Sequence, residues 1–389
     1  MKVLILGAGA GGGFPQWNCH CDNCRGVRDG SIKASPRTQS SIAVSANGTD
    51  WVLINASPDL RHQINHTHEL WPADKSQQRG TSIRSIILTD SQIDHTTGLL
   101  TLREGLPLPV YCTDVVYEDL TTAFPLFPML KHWHGGLQRH AIDTDYDKSF
   151  TPEGIEGLTF NPVVLESNAP PYSSYRDKVV PGNNIGLQIT DTASGKSLFY
   201  APGCVQASPL VESMLEQASC VLFDGTLWLD DEMIQKGFSN RLGTQMGHMP
   251  VNGPDGTVAL LNRYPIDRKI LIHINNTNPV LKNVLIMGNN VGSNNHGGGM
   301  EIGGSATLIN VTITENTATG QPAGGIMFSG GSANIINSII VDNYPQDINF
   351  YPSSGASAST INVSYSYLEG GLDSIITNNN GTVTWGSGN

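Results

Sequence analysis

The sequence has no run of 18 consecutive apolar residues, so we expect no membrane-spanning helix and no membrane partner. Charged residues make up only 14% of the chain, and acidic side chains outnumber basic ones by 34 to 22. The resulting net charge of −12 argues against nucleic acid as a partner. The opening residues MKVLIL are too short for the core of a signal peptide, and only six cysteines occur. These scarcities together predict a cytoplasmic protein with reduced thiols.

Basic residues almost disappear in the C-terminal part of the chain, where Lys282 is the only Lys or Arg after residue 279. Asn, Gly, Ser and Thr dominate there, and several markers recur at a spacing of 27 residues, namely Leu281-Lys282-Asn283, Leu308-Ile309-Asn310 and Ile335-Ile336-Asn337, together with Asn289, Asn316 and Asn343. Short β-branched runs separate these markers. A fixed period of this kind is typical of stacked coils, and the segment resembles the right-handed parallel β-helix repeats of pectate-lyase-like proteins. We therefore predict two domains, residues 1–279 and 280–389; the alternative for the second is a disordered Asn- and Gly-rich tail.

Three of the six cysteines lie close together, in a C-x-C-x-x-C cluster formed by Cys19, Cys21 and Cys24. Thiolates at this spacing can converge on one soft tetrahedral ion, usually zinc, and a fourth ligand must then come from elsewhere. The alternative is three free thiols in a loop. The preceding Gly7-x-Gly9-x-x-Gly12 matches a dinucleotide-binding fingerprint by letter. No helix pattern follows it directly, so we do not expect a nucleotide site.

We predict strands and helices that interleave through residues 1–279, among them strands at Ser41–Ser45 and Trp51–Ile54 and a helix around Pro209–Gln217. This interleaving indicates an α/β domain with layered sheets. One segment, LTDSQIDHTTGLL, carries several donor side chains between a strand and a helix. Asp90, Gln92, Asp94 and His95 occupy relative positions 0, 2, 4 and 5, which is the spacing of the H-x-H-x-D-H metal motif of the metallo-β-lactamase fold. Here Asp90 and Gln92 replace histidines, so the site is richer in oxygen than a two-zinc hydrolase centre. The alternative for the Asp94-His95 pair is a helix N-cap beside a satisfied histidine.

Two histidines late in the domain are further candidates for the metal site. His248 lies in MGHMP, and His273 follows an apolar strand in ILIHIN. Either one can complete the active-site metal or the cysteine site, and the sequence does not decide between them. His132, His134 and His140 are weaker candidates, for which we expect a solvated loop.

Five ordered motifs over residues 1–279 resemble the pyrroloquinoline quinone (PQQ) biosynthesis protein B family, namely GGGFPQWNCHCDNC, LTDSQIDHTTGLL, FDGTLW, MGHMPVNGPDGT and LIHINNTNP. The resemblance implies a metallo-β-lactamase-like αββα sandwich with a structural zinc on the cysteine cluster. It also implies iron-dependent, oxygen-using hydroxylation of the tyrosine ring of a peptide-derived Glu–Tyr precursor. The partners would be that precursor and other PQQ biosynthesis proteins. After Pro279 the chain runs into the repeat, where the family has a short closing segment.

Three functions follow as hypotheses. The leading one, which the resemblance implies, is a non-haem iron(II) hydroxylase. A carboxylate–imidazole set with open positions is compatible with that metal. Asp90, Asp94, His95 and His273 would be its candidate ligands, with His248 as an alternative and Gln92 as a hydrogen-bonding group. The others are a carrier of PQQ or its precursor, and a metallo-hydrolase of phosphoesters or lactones, against which the missing histidines argue.

Overall fold

The computed structural model divides into two compact units, residues 1–28 with 36–278 and residues 29–35 with 279–389. It describes residues 1–389 apart from 75, 77, 177, 282–283, 288, 292–297, 320–322, 352–357 and 387. Lys282 and Asn283, which belong to the first repeat marker, thus lie outside the described residues. Among the described residues, no helix is both long and apolar enough to span a membrane.

The first unit contains two β-sheets flanked by helices. Its strands in chain order, β1 to β11, are Lys2–Gly7, Ser41–Ser45, Trp51–Ile54, Ile83–Ile87, Leu108–Cys112, Leu137–Ala141, Leu158–Val164, Ile185–Asp191, Ser197–Ala201, Cys220–Asp224 and Arg268–Ile272. Its α-helices, α1 to α9, are Asp22–Asp29, Leu60–Asn65, Ile93–Thr96, Asp114–Asp119, Leu126–Leu130, Pro209–Gln217, Glu232–Gln235, Gly243–Met246 and Thr257–Leu261. Two 3₁₀ helices add His68–Leu70 and Thr97–Gly105. The first α-helix begins ten residues after Gly12, so the glycine turn does not open a helix.

The two sheets pack face to face, because every second side chain of a strand points to the same face of its sheet. Strands β1 to β6 form one sheet in chain order, and the other has the order β11-β10-β9-β8-β7. Ile42 and Ile54 of the first sheet share a buried cluster with Leu198 and Leu222 of the second. Their neighbours in sequence point outward to the helices; Phe199, for example, packs with residues of α6 and α9. The layered α/β architecture expected for this part of the chain is thus observed.

Both sheets end in parallel strands, and this arrangement creates the site. In the first sheet β3, β4, β5 and β6 run parallel, and in the second β9, β10 and β11 do so. The carboxyl ends of parallel strands meet at one edge of a sheet, so the loops that follow them gather there. The metal-motif segment follows β4, and His273 follows β11 directly.

The second unit consists of parallel strands that pair with partners about one repeat away. Its strands, β12 to β25, are Val284–Met287, Asn290–Val291, Met300–Ile302, Ser305–Ile309, Val311–Thr314, Thr317–Ala318, Ile326–Phe328, Ser332–Ile336, Ile339–Val341, Ile348–Phe350, Ser359–Ser364, Tyr367–Leu368, Ile375–Ile376 and Gly381–Trp385, with 3₁₀ helices at Pro279–Leu281 and Gly371–Ser374. They form sheets of the order β12-β16-β20-β23, β13-β17, β14-β18-β21-β24 and β15-β19-β22-β25.

The 27-residue period reappears as strand register in this unit. Leu308 pairs with Ile335, and the side-chain amide of Asn289 donates to Asn316 Oδ1 at 2.8 Å. Asn316 in turn donates to Asn343 Oδ1, also at 2.8 Å. Such ladders satisfy polar groups that would otherwise be buried without partners. The winding of these sheets as a β-helix stays a prediction.

Candidate metal centres

A cavity of about 260 Å³ lies in the first unit and is lined by all six residues predicted for the active site. Asp90, Gln92, Asp94 and His95 reach it from the segment after β4. His248 comes from the loop after α8, and His273 from the end of β11. The wall also includes Ala10 and Gly11 of the glycine turn and Pro202 and Gly203 after β9.

Asp90 and His95, both in the segment after β4, form a buried pair. Nδ1 of His95 lies 2.9 and 2.8 Å from the two carboxylate oxygens of Asp90. The Thr89 hydroxyl and the Gln92 backbone N–H donate to the same carboxylate, each at 2.9 Å. These contacts place the Nδ1 proton of His95 toward Asp90 and leave Nε2 as the free ring atom. The ligand role expected for Asp90 stays a prediction, and its contacts favour holding His95.

Three side chains present metal-binding atoms to one point. One atom from each of Asp94, His95 and His273 lies within 4.8 Å of the other two. The distance between His273 Nε2 and Asp94 Oδ2 is 3.3 Å. Nε2 of His95 is buried and has no hydrogen-bond partner among the described residues. An orphaned imidazole nitrogen beside a carboxylate and a second imidazole is the donor arrangement that a metal ion satisfies.

A second group adjoins the first and shares His273. Asp224, which ends β10 and is fully buried, lies 2.8 Å through Oδ2 from Nδ1 of His248. The Thr226 hydroxyl donates to Asp224 Oδ1 at 2.6 Å, so its oxygen is available to accept from His273 Nδ1 at 2.9 Å. Asp224, His248 and His273 again offer atoms within 4.8 Å of one another. Nδ1 of His273 is thereby engaged, and Nε2 faces Asp94.

Sequence reasoning missed Asp224 and Thr226, although both lie in the FDGTLW motif. The available signal was a carboxylate at the end of the buried apolar strand Cys220–Asp224. Polar residues at such strand ends line the sites of α/β proteins, as Asp90 and His273 also illustrate.

Charge pairing sets the protonation of these groups. Burial lowers the pKa of His95, but the carboxylates of Asp90 and Asp94 outweigh it and raise that pKa to about 9. Burial raises the pKa of Asp94, yet the charge of His95 and the contact with His273 hold it well below the ordinary range. Asp224 follows the same pattern through His248, whose own pKa Asp224 raises against burial.

Two amide side chains add polar groups to the cavity without charge. The Gln92 side chain donates to the Asn168 carbonyl at 3.4 Å. Asn184, directly before β8, has a buried Oδ1 with no hydrogen-bond partner in the described part of the chain. Because buried amide groups are rarely left unpaired, this oxygen is available to a bound ligand.

The three cysteines form a separate cluster. Their sulfur atoms lie within 4.8 Å of one another, and Cys24 is fully buried. Backbone N–H groups of Gln16 and Cys21 donate to Cys24 and Cys19, both at 3.4 Å. Burial raises the pKa of Cys24 to about 11, whereas donors around Cys21 outweigh burial and lower the pKa of Cys21. Neither His248 nor His273 joins this cluster; both line the cavity instead. The side-chain amide of Asn276 approaches the sulfurs.

The remaining histidine candidates lie outside both centres. His132 and His134 are exposed, and His140 stacks on Tyr111 with ring centroids 4.6 Å apart. The expectation of solvated positions is met for the first two.

Comparison with known proteins confirms the α/β metallo-β-lactamase fold expected for the first part of the chain. The profile of the beta-lactamase superfamily domain matches residues 50–274, so the chain belongs to that superfamily. A diphosphatase of the PhnP family has a similar fold at 18% identity, with a TM-score of 0.50 over 71% of this chain and 87% of its own.

Closer relatives narrow the assignment. The coenzyme PQQ synthesis protein B of Acinetobacter baylyi is 56% identical over 281 residues, which are 72% of this chain and 91% of that protein. That of Stutzerimonas stutzeri is also 56% identical, with the same coverage. The crystal structure of Zn²⁺-bound PqqB from Methylobacterium extorquens superposes with a TM-score of 0.66 at 36% identity, over 72% of this chain and 92% of that one. The chain therefore belongs to the coenzyme PQQ synthesis protein B family.

Proposed function

We propose that this protein carries out a metal-dependent oxidative step of PQQ biosynthesis, the hydroxylation of the tyrosine ring in a peptide-derived Glu–Tyr precursor. In this step one oxygen atom of O₂ enters the ring as a hydroxyl group, and an external two-electron donor with two protons reduces the other oxygen atom to water. The biosynthetic role rests on membership of the PQQ synthesis protein B family. The oxidative step rests on one observation above all. Nε2 of His95 is buried without a partner among the described residues, beside Asp94 and His273.

These residues fit non-haem iron(II). Two imidazoles and one carboxylate form the donor set that leaves positions open for oxygen and substrate. Asp94, His95 and His273 would hold the ion, and when bound it supplies the activation of oxygen. Asp90 and Thr226 fix the two imidazoles through their Nδ1 atoms, at 2.8 and 2.9 Å.

The other cavity residues provide binding and proton transfer. His248 lines the cavity, and its Nδ1 is held by Asp224 at 2.8 Å, so its Nε2 can take or return a proton. Gln92 and Asn184 offer amide groups to a polar precursor. The precursor and other proteins of PQQ synthesis are the proposed partners, and the Cys19, Cys21 and Cys24 thiolates are the proposed holders of a structural zinc.

A second candidate function is metal-dependent hydrolysis of a phosphoester or lactone. The group of Asp224, His248 and His273 favours it, because a second ion there would lie next to the first. Paired metal ions are the arrangement that hydrolases of this kind use.

Elemental analysis of anaerobically purified protein tests these alternatives, with Asp94→Ala alongside. Asp119→Asn is the matched control, since Asp119 is a buried carboxylate that accepts from the Ser91 hydroxyl at 2.7 Å. The hydroxylase proposal predicts one zinc and one iron, with the iron lost only in Asp94→Ala, and oxygen uptake that requires the tyrosine-bearing precursor. A pair of equivalent ions in the cavity, without oxygen uptake, would support the hydrolase. Precursor or PQQ binding without any turnover would make the protein a carrier and overturn both.

A further inference from the structure

The side-chain amide of Asn276 lies against the sulfur atoms of all three clustered cysteines. Its terminal nitrogen lies 3.0 Å from Cys19 Sγ, 3.7 Å from Cys21 Sγ and 3.4 Å from Cys24 Sγ. Asn276 is buried and follows β11 by four residues.

These distances match a tetrahedral site. Zinc binds sulfur at about 2.3 Å and oxygen at about 2.0 Å, so tetrahedral angles place the oxygen about 3.5 Å from each sulfur. The observed three distances scatter around that value. An amide nitrogen does not bind zinc, but rotating the carboxamide by half a turn puts its oxygen at the same point.

We propose that Oδ1 of Asn276 is the fourth ligand of the zinc held by Cys19, Cys21 and Cys24. The inference rests on the zinc site proposed above and names the ligand that completes it. The surroundings hold Asn276 in place, since the Asn23 side-chain amide donates to the backbone carbonyls of both Asn276 and Asn278 at 3.0 Å.

The proposed ligand connects the zinc site to the active-site cavity. Asn276 follows His273 by three residues, and the segment between them is bonded to the glycine turn that lines the cavity. Ala10 N–H donates to the Ile274 carbonyl at 2.9 Å, and Ile274 N–H donates to the Ala8 carbonyl at 2.8 Å. A zinc ion on Asn276 would therefore restrain the segment that carries His273. Its role would be positioning, because it contacts no reacting atom.

The test compares Asn276→Ala, Asn276→Asp and the wild-type protein by zinc retention against a competing chelator. Asn278→Ala is the matched control, a buried amide in the same loop that donates to the Gly225 carbonyl at 2.9 Å. Loss of a ligand should weaken zinc retention by about 10- to 100-fold or more in Asn276→Ala. Asn276→Asp should retain zinc to within about 10-fold, since a carboxylate oxygen also binds zinc. The Asn278→Ala control should match the wild type.

Cobalt(II) substitution supplies a readout independent of activity. The visible spectrum of tetrahedral cobalt should change on Asn276→Asp and lose its tetrahedral character on Asn276→Ala. Identical spectra and zinc retention in all variants would overturn the proposal. So would an Asn276→Asp protein that loses zinc as readily as Asn276→Ala, because the amide would then act as an N–H donor to sulfur. The zinc site itself would instead be refuted if the wild-type protein contained no zinc ion that is lost in Cys24→Ser.

A second consequence concerns the coupling between the two centres. Asn276→Ala should also weaken metal binding in the cavity, because His273 loses its restraint. In protein whose cavity holds no metal ion, His273→Ala should leave zinc retention unchanged, because the coupling is then absent. Zinc loss in His273→Ala under that condition, or unaltered cavity metal in an Asn276→Ala protein that has lost its zinc, would contradict the positioning role.

Discussion

Replacing Asp90 by Asn tests how the buried pair with His95 is charged. Burial alone would lower the pKa of His95 from 6.5, but Asp90 and Asp94 raise it to about 9 in the folded, metal-free protein. Asp90 contributes the larger share and contacts Nδ1 at 2.8 Å. Asn keeps the size of the side chain and removes its charge. We therefore expect the substitution to abolish most of the increase in the pKa of His95.

The size and pH dependence of the effect follow from linkage. A folded-state pKa above the unfolded value stabilises the protein fully below the unfolded pKa, and this stabilisation is lost as pH rises through the folded pKa. A rise in the pKa of His95 from 6.5 to about 9 therefore contributes about 3 kcal/mol at pH 6.5, about 1 kcal/mol at pH 8 and almost nothing at pH 9.5. The stability difference between wild type and Asp90→Asn should shrink along this series by most of that amount.

Urea unfolding of chelator-stripped protein, followed by tryptophan fluorescence, measures this difference. Five of the six tryptophans (Trp17, Trp51, Trp71, Trp133 and Trp228) lie before residue 279, so the signal reports mainly on the first unit. Asp119→Asn is the control, because the buried carboxylate of Asp119 accepts from the Ser91 hydroxyl and, among the described residues, forms no ion pair with a histidine. Its cost should stay constant between pH 6.5 and 9.5. An Asp90→Asn cost that is equally constant over this range would refute the reasoning.

Three further predictions concern the cavity metal, the metal-motif segment and the repeat. Because a metal ion displaces the proton of His95, the apparent affinity of the cavity for the ion should rise with pH, by up to about tenfold per pH unit, until about pH 9. A competition assay in which this affinity does not change with pH would contradict the prediction. A Cβ on Gly98 would lie 2.2 Å from the Ser57 carbonyl oxygen, so Gly98→Ala should cost about 1–3 kcal/mol in urea unfolding, whereas Gly105→Ala in the same 3₁₀ helix meets nothing within 4 Å and should cost about 1 kcal/mol or less. In the repeat, Asn316→Ala should lower the unfolding temperature, since removal of this buried amide costs about 1–3 kcal/mol. Asn362 is exposed, so the control Asn362→Ala should cost about 0.5 kcal/mol or less. Equal shifts of the unfolding temperature in the two variants would argue against the asparagine ladder.

Local sequence signals predicted much of the fold of the first unit. Helix α6 has the predicted bounds, Pro209–Gln217, because Ser208 caps it and Pro209 occupies its first turn. The predicted strands Ser41–Ser45 and Trp51–Ile54 also have the expected bounds. By contrast, strands Leu108–Cys112 and Leu158–Val164 were not predicted. Each contains a proline, which argues against a strand locally but is tolerated where the residue's missing N–H is not needed.

The candidate site was less predictable because tertiary pairing decides the role of each residue. The spacing of the metal motif was enough to predict Asp94 and His95 as site residues, and the position of His273 at the end of a strand was enough to predict that residue. Asp224 and Asn276 carry no comparable spacing signal. Asn276 in particular lies in INNTN, where it is one of four consecutive polar residues, and the sequence does not distinguish it from the other three. Only the approach of residues 19–24 to this loop distinguishes it.

The change of His to Asp at the first position of the metal motif has two effects that act in the same direction. It removes an imidazole ligand, and it introduces a carboxylate that occupies Nδ1 of His95. The first effect reduces the capacity for a second ion, while the second orients His95 and makes its Nε2 a better donor for one ion. Thr226, which follows β10 in the second sheet, orients His273 in a similar way through its Nδ1. A site in which two imidazoles are fixed by neutral or acidic neighbours and one carboxylate stays available favours a single ion with open positions. The arrangement of the ligands therefore supports the proposed oxygen chemistry over two-metal hydrolysis. The fold itself does not distinguish the two, because it hosts both.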